Sequence, residues 1–208
     1  QWPIRIRLVS ATPGEHLLAV IVHHIASDGE SVTPMLTDLI TAYTAENAGH
    51  APVFRPLAVQ YADVALWQHE HLGSPDDPAS VVGRQLGYWR EQLAGLPDVV
   101  EIPTDRPRPP RASGRGAQVG FTIPAATAAR IDEVSAQAGV TPFMVVHTAL
   151  AVLLARLSST SDIAIGTPVG GRGQTGLDPL IGMFVNTLIL RTGVEPGASF
   201  EQILVQAK

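Results

Sequence analysis

The sequence predicts an α/β chain with a mixed (α+β) sheet, organised as two units. Three observations carry this expectation. Short runs of period-two alternation are interleaved with longer segments whose apolar residues recur every three to four positions. A proline- and arginine-rich stretch, Asp105 to Gly116, divides the chain near its middle. With 208 residues, 45% of them hydrophobic and 16% charged, the chain has enough apolar material for one large core or two small ones.

Ile4, Ile6 and Leu8 alternate with Arg5 and Arg7, the pattern of a half-buried strand. The turn residues Ala11 to Glu15 (ATPGE) follow, and His16 to His23 reads as a second, more apolar strand. The two are expected to pair as an antiparallel hairpin that ends at two adjacent histidines. A helix then starts with Ser31 as N-cap and tolerates Pro34 in its first turn. Val32, Met35, Leu36, Leu39, Ile40 and Tyr43 recur at helical spacing, and Gly49 is its stop. Further helices are expected over about 57–72 and 79–93, separated by Gly73 to Pro78 (GSPDDP).

The segment Asp105–Gly116 (DRPRPPRASGRG) reads as an extended connector and as a solvated basic loop rather than a binding element. Beyond it the pattern predicts a strand over 117–123 and a helix over 125–138. Another helix follows, with Thr141 as N-cap, Pro142 at its first position, and Phe143, Val146, Leu150, Leu153, Leu154 and Leu157 along it. Strand Asp162–Val169 leads through a glycine-rich loop to a strand over 182–192. The expected division is therefore 1–104, a connector over 105–116, and 117–208. Both ends read as cut: the chain enters a strand almost at once without an initiating methionine, and it stops inside an amphipathic helical pattern. A fragment of a longer protein is expected.

Composition removes several function classes. A net charge of −5 without a basic stripe argues against nucleic acid as partner. With no cysteine there is no disulfide, thiolate metal site or cysteine nucleophile, which fits a cytoplasmic protein. No apolar run approaches the ~18 residues of a membrane span, and no signal peptide is legible, so no membrane is expected as partner.

The chemistry concentrates in VIVHHIASDGES, Val20 to Ser31. His23 and His24 close a strand, so period two sends them to opposite faces and only one enters a given site. A histidine at a strand end suits general-base work, its ordinary pKa being about 6.5. Asp28 is placed to orient such a ring or to hold the loop that carries it, and Gly29 permits close backbone approach. A metal site from His23, His24 and Asp28 lacks a further ligand cluster, and His69 and His71 lie about 200° apart on a helix. The loop Gly170–Gly176 (GGRGQTG) lacks the GK[ST] of a phosphate cradle and reads as a turn, and no G-x-S-x-G elbow exists.

HHIASDG resembles the HHxxxDG motif of the condensation domains of nonribosomal peptide synthetases. Three further segments agree in order. YADVALW (Tyr61 to Trp67) is similar to the family's YxDFAVW, with Val64 in place of phenylalanine. GTPVGGR (Gly166 to Arg172) resembles its GTPVAGR, and IGMFVNTLILR (Ile181 to Arg191) matches its pattern except at Ile189. The DRPRP of Asp105 to Pro109 is typical between its halves. HHxxxDG alone is shared by several acyltransferase families; the ordered set is more specific.

The resemblance implies a chloramphenicol acetyltransferase-like fold: two subdomains in a pseudo-dimer with a tunnel between them, the second incomplete here. It implies condensation of a donor thioester with the α-amine of an acceptor. Both would be held on 4'-phosphopantetheine arms of upstream and downstream peptidyl carrier domains, with an adenylation domain in the same chain and no cofactor bound directly. His24 would be catalytic and the Gly29 amide would polarise the thioester oxygen. His23 and Asp28 would be structural, while Ser27 and Asn186 would line the tunnel, Asn186 being equally a strand residue. Tyr61, Asp63 and Trp67 would pack. Asp28 is expected to pair with an arginine of a motif preceding Gln1; neither Arg5 nor Arg7 is placed to replace it. Epimerisation domains tend to read HHxxxDGxSW, against which Val32 weighs. A stand-alone acyltransferase of the same superfamily and a non-catalytic docking module stay open beside the condensation domain. The isolated fragment is expected to be inactive.

Overall fold

The computed structural model describes residues 2–207 and divides by contacts into two compact units. One comprises Gln1–Tyr88 with Pro168–Leu188, the other Trp89–Thr167 with Ile189–Lys208. The units change between Tyr88 and Trp89, ahead of the 105–116 connector, and Pro168–Leu188 returns to the first unit.

In the first unit, β1 (Ile4–Thr12) and β2 (Glu15–Val22) form the expected antiparallel hairpin, with Ile4 opposite Val22 and Leu8 opposite Leu18. Gly14 supplies the positive φ of 88° that the turn needs. The expectation of a half-buried strand is corrected: every β1 residue is exposed. A two-stranded ribbon buries little by itself, and among the described residues no helix packs closely over this one.

Helix α1 (Val32–Asn47) starts and stops where its signals lie. Gly49, at φ 78°, closes it: the Gly49 amide donates to the Glu46 carbonyl at 3.0 Å and the His50 amide to the Ala45 carbonyl at 3.1 Å. Helix α2 (Tyr61–Leu72) begins four residues later than expected. The Asp63 carboxylate reaches back to accept the Gln60 amide at 2.8 Å and fixes the start there. Helix α3 (Val81–Gln92) spans the boundary between the units. The buried interior of the first unit is largely polar, comprising Ser27, Asp28 and Ser31 beside Ala45 and Leu180.

The second unit holds α4 (Ala125–Ala138), α5 (Pro142–Ser158) and α6 (Phe200–Gln206). Gly139 at φ 62° ends α4, with the Val140 amide on the Ser135 carbonyl at 3.0 Å. Thr141 caps α5 through the Met144 amide, and Ser199 and Gln202 cap α6 reciprocally. Strands β3 (Asp162–Val169) and β4 (Asn186–Gly193) form the other two-stranded sheet. Ala151, Ala155 and Ile163 make the apolar core, with Val100, Leu154, Ile165 and Val194 against it. The buried residues of α5 are Val145, His147, Thr148, Ala151 and Ala155, while Phe143, Leu150 and Leu153 stay exposed.

The strand expected over 117–123 does not form. Val119 and Phe121 alternate as a strand should, yet are 86% and 85% exposed, with no ladder beside them. No single helix is long and apolar enough to cross a membrane; α4 and α5 pass together by length and composition only, bent by 104°.

Candidate functional site

Strand β2 stops at Val22, one residue short of the histidines. His23 is extended and caps a single 3-10 turn, His24–Ala26, its Nδ1 accepting the Ile25 amide at 3.1 Å. The expectation that both histidines lie in the strand is corrected: the strand ends before them, His23 caps the turn and His24 opens it. Pro3 anchors its base by accepting the His23 amide at 2.7 Å. The exposed His24 ring places Nδ1 3.2 Å from Met183 Sδ.

Below the turn, Asp28 is fully enclosed. Its Oδ1 accepts the Ser31 amide at 2.9 Å, the Ser31 hydroxyl at 2.7 Å and an Arg172 nitrogen at 3.0 Å; its Oδ2 accepts the Phe184 amide at 3.0 Å. Burial alone would raise this carboxyl, but the hydrogen bonds from Ser31, the Phe184 amide and Arg172 outweigh it and hold Asp28 well below the usual carboxylate range. Ser31 stands at the helix start as expected, but its hydroxyl makes no capping bond. It donates to Asp28 instead, and it lies 3.1 Å from the Gly182 amide and 2.9 Å from an Arg172 nitrogen, both donors.

Asp28 has an arginine partner that the sequence reading did not name. The ion pair is made within the chain, by Arg172 of GTPVGGR, 144 positions away. The loop read as a mere turn thus supplies the central cation. Arg172 also donates to the carbonyls of Leu177 at 2.7 Å and Leu180 at 2.9 Å, and it lies over the Phe184 ring at 4.0 Å. Its Nε is 3.2 Å from Glu30 Oε2 without a hydrogen-bonding geometry. Two glycines permit this packing. A Cβ on Gly171, at φ 69°, would lie 2.2 Å from the Phe184 carbonyl oxygen, and one on Gly182 would lie 2.2 Å from Tyr61 Cδ2. Tyr61 meets Phe184 edge-on at 5.1 Å and donates its hydroxyl to the Met183 carbonyl at 2.8 Å.

The remaining expected residues lie as follows. Ser27 is buried beside Asp28, its hydroxyl on the Asp28 carbonyl at 3.3 Å. Gly29 is exposed, and among the described residues its amide has no hydrogen-bond partner. Asn186 opens β4, exposed, with Oδ1 accepting the Thr187 amide at 2.8 Å and no bond to the histidine turn. Trp67 stacks on His71 and, with Val59, Asp63, Val64, Gln174 and Leu177, lines an apolar cavity of about 370 Å³. Among the described residues no three His, Cys, Asp or Glu side chains are grouped to hold a metal.

A family model described as condensation domain matches residues 1–208. The chain is 46% identical over 200 residues to a dimodular nonribosomal peptide synthase of Bacillus subtilis, covering 96% of this chain and 8% of that protein. It is 45% identical over 206 residues to an isonitrile lipopeptide synthase of Mycobacterium tuberculosis, covering 99% and 8%. Among solved structures it is similar to the X-domain in its complex with OxyB from teicoplanin biosynthesis: TM-score 0.91, 34% identity, 99% of this chain and 45% of that one. The chain thus spans a small fraction of the synthetases it matches and less than half of that structural neighbour.

Proposed function

Because this chain belongs to the condensation-domain family, we propose that it forms part of a peptide-bond-forming condensation domain of a nonribosomal peptide synthetase. The donor is an aminoacyl or peptidyl thioester and the acceptor an aminoacyl thioester, each on the phosphopantetheine arm of a peptidyl carrier domain; an adenylation domain in the same protein loads such carriers. The single observation that carries the reading is the placement of His24: an exposed imidazole on a turn anchored at its base by the Pro3 carbonyl and followed two residues on by the enclosed Asp28–Arg172 pair.

The acceptor nitrogen attacks the donor carbonyl carbon, and a C–N bond forms while the carbonyl oxygen gains charge. The exposed Gly29 amide stabilises that oxygen. His24 takes the proton released by the nitrogen. The C–S bond then breaks and the proton passes to the departing thiolate, leaving amide and free thiol. Holding both thioesters face to face supplies much of the acceleration, since orientation is worth ~7–11 kcal/mol in favourable intramolecular systems. Asp28 and His23 are structural in this reading, and Ser27 and Asn186 lie along the substrate path.

A second reading, a partner-docking module, draws on the similarity to an X-domain seen in complex with another protein. One assay separates the two: the intact domain containing this chain, mixed with donor- and acceptor-loaded carriers. Amide product is expected, with a fall of about 10²- to 10⁴-fold in His24→Ala. Undiminished product from that variant sinks the role of His24, and absence of product from the intact parent domain favours docking.

A further inference from the structure

We propose that Met183 is the positioning residue of His24: its thioether accepts the Nδ1 proton and leaves Nε2 as the proton acceptor. The proposal rests on the reading of His24 as the site's base. Which imidazole nitrogen carries the proton is set by the hydrogen bond the other makes. A thioether sulfur has lone pairs and no hydrogen. The 3.2 Å contact between Met183 Sδ and His24 Nδ1 is therefore a hydrogen bond only when Nδ1 carries the proton. The neutral ring then presents its lone pair at Nε2.

The sulfur is well placed to do this because the backbone around it is pinned at three successive residues. The Gly182 amide lies 3.1 Å from the Ser31 hydroxyl. The Met183 carbonyl accepts the Tyr61 hydroxyl at 2.8 Å. The Phe184 amide donates to Asp28 Oδ2 at 3.0 Å. Asp28 thus acts on His24 at one remove, by fixing the segment that presents the sulfur. The choice of acceptor also has a chemical consequence. A carboxylate against Nδ1 would bring a charge to the ring; a thioether selects the tautomer without one.

The test is nitrogen NMR of the intact domain containing this chain, with ¹⁵N-labelled histidine and the His24 signals identified by their loss in His24→Ala. The parent is expected to show a protonated Nδ1 and an unprotonated Nε2. Met183→Leu, which nearly conserves volume, should shift the ring toward the Nε2–H form and lower kcat about fivefold, the worth of one modest hydrogen bond. Norleucine at position 183 removes only the sulfur and should do the same, should the leucine variant misfold. A parent ring protonated at Nε2, or an unchanged tautomer in both variants, overturns the proposal. If the tautomer shifts as expected while His24→Ala still condenses at the parent rate, the Met183 contact stands and the base role of His24 falls.

Discussion

Replacing Arg172 by alanine removes one side chain and, besides its ion pair with the exposed Glu30, five interactions from the interior of the first unit. The lost contacts are Asp28 Oδ1 at 3.0 Å, Ser31 Oγ at 2.9 Å, the carbonyls of Leu177 and Leu180, and the Phe184 ring. The Asp28 carboxylate stays enclosed and keeps the two Ser31 donors and the Phe184 amide. Removing one partner of a buried ion pair costs ~3–5 kcal/mol, a large share of the ~5–15 kcal/mol that holds a typical domain folded. For a chain of this length that is a fall in Tm of about 6–20 °C. Arg172→Lys keeps the charge but not the planar fork, and should fall between the two. The pH dependence has a definite sign. The folded pKa of Asp28 lies below its ordinary 3.8, so its contribution is fully present above that value and is lost as pH falls below it. Arg172→Ala narrows that window and flattens the acid limb. Thermal unfolding of parent and variants between pH 7 and 2 measures both effects. An Arg172→Ala variant melting within about 2 °C of the parent, with the same acid limb, would refute the claim that this pair organises the unit.

Three further outcomes follow from the geometry. Gly182→Ala should destabilise by ~1–3 kcal/mol in urea unfolding, because a Cβ 2.2 Å from Tyr61 Cδ2 forces the ring away, whereas Gly120→Ala, in open space, should be close to neutral. Arg191→Met should lower Tm much less than Arg172→Ala: its bidentate partner Asp162 and Arg191 itself are each 30% exposed, so solvent screens the pair. The 208-residue chain alone should give no amide product from two loaded carriers, whereas the intact domain should; turnover by the chain alone would show that the residues described here suffice.

What was legible in the sequence was what is decided locally. Helices α4 and α5 and strand β3 fall at the expected residues because Thr141, Pro142 and Gly139 are caps whose geometry needs only near neighbours. The hairpin was legible for the same reason. The strand expected over 117–123 failed because alternation announces a strand without supplying its partner. The Asp28–Arg172 pair failed for a related reason: 144 positions separate the two groups, and nothing in the spacing of GGRGQTG points at HHIASDG. A signal was present nonetheless, since an arginine flanked by glycines on both sides can bring its guanidinium and backbone close to a buried acid. The histidine motif was located by residue type, but the path of the chain through it was not. The strand ends at Val22, and a 3-10 turn carries His24 to Met183.

The pinning of Gly182, Met183 and Phe184 by Ser31, Tyr61 and Asp28 bears on recombination between condensation domains. A chimera with its crossover anywhere between Ser31 and Pro168 takes Asp28 from one parent and Arg172 from the other, and sets one parent's Tyr61 or Ser31 against the other's Gly182. Such a hybrid inherits a working interior only where both parents carry all of these residues. Exchanging 23–31, 61 and 170–184 as one set avoids the mismatch, although the three stretches are scattered along the chain.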